Sequence, residues 1–192
     1  PYTCPSDYLK RVVSLSEELG AEIHIHLSET KGEVEDCFKL HGKSPIQHMA
    51  DLGVLQRGVL AAHCVHVDEH DLALMKAHNV RVAHNPQSNL KLASGFAPVP
   101  AMLAAGITVG LGTDGTASNN NLDLLEEVRL AAMLHKAVTG NPQVVPARQA
   151  LDLATRDGAA ALGLGGQVGE LRVGAKADVV LYERQGLHWC PP

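Results

Sequence analysis

Histidines and carboxylates, the usual donors to divalent metals and carriers of protons, stand at the ends of apolar runs in this sequence. The first such place is "HIHLSE", residues 24–29. Side chains two apart on a strand share a face, so His24 and His26 point the same way, about 6.6 Å apart along the rise. Only His26 need reach the strand end, and Glu29 lies just past it. A histidine and a carboxylate there suit a metal ligand and a proton carrier. His24, deeper in the strand, reads as a satisfied core residue. In "AAHCVH", residues 61–66, His63 shares a face with Val65 and is the inward candidate, while His66 reads as a loop residue. In "GTDGTASNN", residues 112–120, Asp114 follows the apolar run "ITVGLG", and Gly112 and Gly115 permit a tight turn. A carboxylate at that point can ligate a metal and accept a proton from its bound water. "HNPQSN", residues 84–89, is less specific. His84, Asn85, Ser88 and Asn89 suit a site and a self-braced loop equally well.

The elements that must hold these residues alternate. A helix over "SDYLKRVVSLSEELG" ends at Gly20, and the strand "AEIHIHL" follows. "SPIQHMADLG" has a Ser N-cap and Pro at its first helical position. Strand "GVLAAHCVH" is then followed by helix "DEHDLALMKAHN", capped by Asp68. Strand "VRVAHNP", broken by Pro86, precedes the short helix "APVPAMLAAG", and a fourth strand spans "ITVGLGTDG". Two longer helices, "NLDLLEEVRLAAMLHKAV" and "PARQALDLATRDGAAALG", close the series. Strands that are apolar throughout, alternate with helices and carry polar chemistry at their C-terminal ends predict a parallel (β/α)₈ TIM barrel. A doubly wound open sheet would bring a Gly-rich phosphate loop after a strand, whereas "GLGG" at 163–166 follows a helix. Only four strands are found where a barrel needs eight. The reading is therefore a partial barrel over residues 1–163, whose missing half comes from the same or another chain. Residues 164–192 change character: "GQVGELRVGAKADVVLYER" is Gly-punctuated and β-like, part of a small β-domain, and "QGLHWCPP" has no account.

The totals narrow the partners. Sixteen Lys and Arg against twenty-one Asp and Glu, a net charge of −5, leave no basic footprint for nucleic acid. No apolar run approaches the ~20 residues of a membrane helix, and "PYTCPSDYLK" has no signal-peptide pattern. Cys4, Cys37, Cys64 and Cys190 form no CxxC pair and read as free thiols in a reducing cytoplasm.

As an ordered set, "HLSET", "AAHCVH", "HNPQSNLKLASG", "LGTDGTASNNNLDLLEEVRLA" and "GAKADVVL" resemble the amidohydrolase superfamily. Within it they are most similar to the methylthioadenosine/S-adenosylhomocysteine deaminase group. The likeness runs from about residue 1 to 183. It implies the C-terminal half, strands five to eight, of a mononuclear metal barrel with a composite β-sandwich domain. It also implies one divalent ion, Zn²⁺ before Fe, Ni or Mn, and a purine nucleoside substrate. By resemblance His26 and Asp114 are metal ligands, and His63 assists the attacking water. Glu29 shuttles a proton to the purine ring, and Asp114 is also the base; Glu29 and Asp114 thereby contact substrate. The family's first-strand HxH pair is not in this sequence, which leaves two protein ligands where three or four are usual. Activity is thus expected of the complete protein. Guanine or 8-oxoguanine deamination and chloro-triazine hydrolysis are alternatives on the same site, and a non-catalytic half-barrel assembly partner is a third. A homo-oligomer is compatible with each.

Overall fold

The computed structural model describes residues 3–183. Four parallel strands lie in chain order: β1 (Ile23–Leu27), β2 (Val59–His63), β3 (Arg81–His84) and β4 (Val109–Leu111). Helices cross between them: α1 (Ser6–Leu19) precedes β1, and α2 (Lys31–His41) and α3 (Pro45–Asp51) follow it. Next come α4 (Glu69–Ala77), then α5 (Pro86–Lys91) and α6 (Val99–Ala104) between β3 and β4. After β4 come α7 (Thr116–Asn119), α8 (Leu124–Thr139), α9 (Ala147–Ala154) and α10 (Arg156–Ala161). Consecutive parallel order without a reversal is a run of barrel staves, not a doubly wound sheet. Among the described residues no helix is long and apolar enough to cross a membrane.

The pleat divides the sheet. Ile23 and Leu27 are buried towards the helices, while His24 and His26 stand on the opposite, open face. His26 pairs with Ala62, Ala62 with Ala83, and Ala83 with Gly110. The row beside His26 therefore carries only a methyl or a hydrogen: Ala62 and Ala83 line the cleft, and Gly110 lets α10 approach. The core lies on the other side, where Leu27, Ile46, Met49, Leu55, Met75 and Met102 are fully buried.

The starts and stops read from sequence hold at several ends. Gly20 ends α1 with φ 61°, Ser44 accepts the Gln47 N–H ahead of Pro45, and Asp68 forms a capping box with Asp71. Three features differ. α2 was not foreseen, because its apolar residues make no buried stripe: Phe38 and Leu40 are exposed. Thr30 caps it, Gly42 ends it in the left-handed region, and Lys31–Glu35 and Lys39–Asp36 pairs run along it. The stretch from Pro146 to Gly163, expected as one helix, breaks at Thr155 (φ −122°, ψ −95°) into α9 and α10. Its second part lies directly against β4, where a Cβ on Gly110 would come within 2.9 Å of Gly158 Cα. Finally, the β-type run at 177–182 forms no ladder among the described residues. "QGLHWCPP" and Cys190 lie outside them; Cys4, Cys37 and Cys64 are free thiols.

Candidate metal centre

His63 is the last residue of β2, pairs with Leu27 and follows cleft-lining Ala62. Regular alternation would send it to the helix side, as it sends His84 at the end of β3. A left-handed backbone (φ 70°) turns it back, and its ring stacks on His26 with centroids 5.2 Å apart and planes 21° apart. Ser28 (φ 51°), Cys64 (φ 46°) and Asp114 (φ 60°) are left-handed too. Such backbone costs roughly 1–2 kcal/mol per non-glycine residue, and its concentration at three strand ends marks a site held against local preference.

The ligand atoms of His26, His63 and Asp114 all lie within 4.8 Å of one another. Among the described residues no other three His, Cys, Asp or Glu side chains converge so closely. The three expected residues are thus together, and His63 stands in the same donor group as the two read as ligands. Glu29 joins them: its Oε2 lies 3.7 Å from His63 Nε2, and the residue is 9% exposed. His24 is not a packed core residue. It lines the cleft one step below His26, on the exposed face of β1. The cleft, of about 610 Å³, is also lined by Ala62, Ala83, Gly112 and Asp114.

The segment after β3, from α5 to Ser94, braces every member but His26. Ser88 Oγ donates to Asp114 Oδ2 at 2.7 Å, His63 Nδ1 meets Asn89 Oδ1 at 2.8 Å, and Ser94 Oγ donates to Glu29 Oε1 at 3.3 Å. An amide oxygen only accepts, so His63 Nδ1 donates to Asn89, and its Nε2 faces Glu29 and the donor group. Ser118 Oγ adds a second bond to Asp114 Oδ2 at 2.6 Å, and the Glu29 N–H donates to Glu33 Oε2 at 2.8 Å. His66, read as a loop residue, ties its Nε2 to the Ser94 carbonyl at 2.7 Å. Burial alone would raise the Asp114 carboxyl. Hydrogen bonds from Ser118, Ser88 and the Gly115 N–H, with the field of His63, outweigh it and hold the group below the ordinary range.

The residues that sequence reasoning left undivided now separate. Ser88 and Asn89 serve the site, and Ser94 was missed. His84 faces away: it is fully buried on the helix side, with Nε2 3.2 Å from His135 Nε2. Asn85 sets a spacing limit, since a Cβ on Gly112 would fall 2.5 Å from its Oδ1.

Imidazole nitrogens and a carboxylate gathered at the C-terminal ends of parallel staves, beside a buried carboxylate, form a donor set suited to a divalent cation in a partial barrel. Comparison with known proteins agrees. Residues 1–186 match the amidohydrolase family model, and the chain belongs to that family. It is 53% identical over its whole length to the 5-methylthioadenosine/S-adenosylhomocysteine deaminase of Syntrophomonas wolfei, covering 44% of that protein. A zinc-bound adenosine deaminase from Xanthomonas campestris superposes with TM-score 0.94 at 39% identity, over 100% of this chain and 44% of the other. Zinc-complexed atrazine chlorohydrolase from Arthrobacter aurescens gives 0.88 at 28% identity, over 98% and 42%. The chain thus spans less than half the length of these relatives, and its sheet is a partial amidohydrolase barrel.

Proposed function

We propose that this chain supplies the C-terminal half of a metal-dependent hydrolase that deaminates adenine nucleosides of the 5-methylthioadenosine and S-adenosylhomocysteine kind. One observation carries the reading: His26, His63 and Asp114 converge within 4.8 Å, beside Glu29 and above a floor of alanine and glycine. Imidazole nitrogen and carboxylate oxygen fit zinc, and also iron, nickel or manganese. His26 and Asp114 would hold the ion, with further ligands from protein outside this chain. When bound, the ion acidifies a water towards pKa ~7 and stabilises developing negative charge.

The chain's own groups handle the protons. His63 differs from the two ligands because Asn89 occupies its Nδ1, while Nε2 also faces Glu29. That nitrogen and the Asp114 carboxylate orient the water and take its proton as its oxygen attacks C6 of the purine. Glu29 delivers a proton to the adjacent ring nitrogen, so the base never carries the full charge. The C6–N bond then breaks with a proton passed to the nitrogen, giving ammonia and the 6-oxo purine. The methyl groups of Ala62 and Ala83 beside His26 leave room in the cleft for a flat heterocycle, while Gly110 on the same row seats α10.

The similarity to the Syntrophomonas wolfei deaminase supports the substrate class, and the lower identity to the atrazine enzyme ranks triazines below it. Incubating the whole zinc-loaded protein with methylthioadenosine, S-adenosylhomocysteine, guanine and a chloro-triazine tests the reading by ultraviolet absorbance. Conversion of the two adenine nucleosides is expected. Turnover of guanine or triazine alone would replace the substrate class. A folded protein that takes up no metal would favour a non-catalytic assembly partner.

A further inference from the structure

Glu127 lies on α8, is fully buried, and directs its hydrogen bonds away from His26, Glu29, His63 and Asp114. Its carboxylate joins the short helices α5 and α7. Oε2 accepts the Gln87 backbone N–H at 3.0 Å, and Oε1 accepts Asn119 Nδ2 at 2.6 Å. Gln87 Nε2 closes the triangle by donating to the Asn119 carbonyl at 2.9 Å, and Asn119 Oδ1 accepts the Leu122 N–H. The residue after Gln87 is Ser88, and the residue before Asn119 is Ser118. Those are the two hydroxyls that meet on Asp114 Oδ2, at 2.7 and 2.6 Å.

We propose that Glu127 is a positioning residue of the metal centre: it sets the distance between α5 and α7 so that their seryl hydroxyls lock one oxygen of Asp114 and leave the other for the cation. The inference rests on the reading of Asp114 as a ligand. Its chemistry is specific. Both helices present donors to Glu127, so the clamp must accept at each end of its fork, and only a carboxylate does so. A glutamine would set its own NH₂ against one of them. The neighbouring Glu126 is no substitute, since it is occupied by the exposed Asn121 amide.

A thermodynamic cycle on the whole protein tests this. Zinc affinity is measured by competition with a chromogenic chelator for wild type, Glu127→Gln, the Ser88→Ala/Ser118→Ala double variant, and all three changes combined. Removing an outer hydrogen-bond partner of a metal ligand typically weakens binding 10–100-fold, and Glu127→Gln is expected in that range. In the serine-free background the same change is expected to cost less than about two-fold, because Glu127 acts through those hydroxyls. A Glu127→Gln protein that binds zinc as wild type does, or one whose loss multiplies in full on that of the serines, overturns the inference. Should Glu127→Gln not fold, Gln87→Ala cuts only the side-chain bond between α5 and α7. A loss confined to the serine-containing background supports the proposal, and unchanged affinity overturns it. A wild-type protein without stoichiometric zinc overturns the metal-centre reading itself, which separates that failure from the failure of the clamp.

Discussion

His63 reaches the site because its backbone leaves the pleat. No pattern of residue types announces a left-handed histidine, so the sequence suggested an inward ring without the turn that provides one. His26, Glu29 and Asp114 were legible because each sits where an apolar strand ends, and strand ends of parallel sheets face one way. Asn89 stayed open between site and loop, and Ser94 was missed, since they act through space on residues 26 and 65 positions away. Two predictions belong here. Glu29→Gln keeps the shape and removes the ionisable proton. It should lower kcat by about 10²–10⁴ with zinc content unchanged, as read by absorbance and by metal analysis; near-normal turnover would remove Glu29 from the reaction. Asn89→Leu removes the acceptor that holds the His63 proton on Nδ1. Turnover should fall roughly 10–100-fold in steady-state assays while thermal stability changes far less.

At the scale of elements, strands were readable from apolar runs, and the longer helices where an apolar stripe signalled them. α2 had the cap without the stripe, and the break at Thr155 has neither proline nor glycine at its centre. What forces α10 onto its path is contact with β4, a long-range demand. Gly110→Ala tests it: the added methyl meets Gly158 Cα, and overpacking of this kind costs about 1–3 kcal/mol, measurable as a lowered urea midpoint.

The His84–His135 pair between β3 and α8 gives the sheet an acid sensitivity. Burial, then His135 and His63, push His84 down to about 3, and burial, then Lys136, pushes His135 to about 4. Both folded values lie below the ordinary 6.5, so the unfolded chain binds these protons first. The stability contributed by the neutral pair is complete above pH 6.5 and is lost as pH falls towards 3. Urea titrations at descending pH should show that loss, and the His84→Leu/His135→Leu double variant should flatten it. An equal acid slope in the variant would assign the effect elsewhere.

For the molecule as a whole, counting strands against the eight a barrel needs was enough to foresee a partial barrel. The missing staves explain why His24 and His26 face an open cleft. We propose that residues 164–183 belong to a small β-domain completed by protein outside this chain; the rest of the stretch read from sequence, 184–192, lies outside the described residues. Leu171, Val173 and Leu181 are 92%, 99% and 92% exposed, and 177–182 has strand composition without a ladder. Amide hydrogens at 177–182 should exchange quickly in this chain alone and slowly in the longer protein; fast exchange in both would remove the domain.

The account stands on His26 and Asp114 sharing one cation. X-ray diffraction at the zinc edge, on crystals of the whole zinc-loaded protein, measures that directly. The prediction is a single anomalous peak about 2.0–2.2 Å from a His26 nitrogen and an Asp114 oxygen, with Glu29 close by but not bound. A fully loaded ion that touches neither residue, or only one of them, would contradict it.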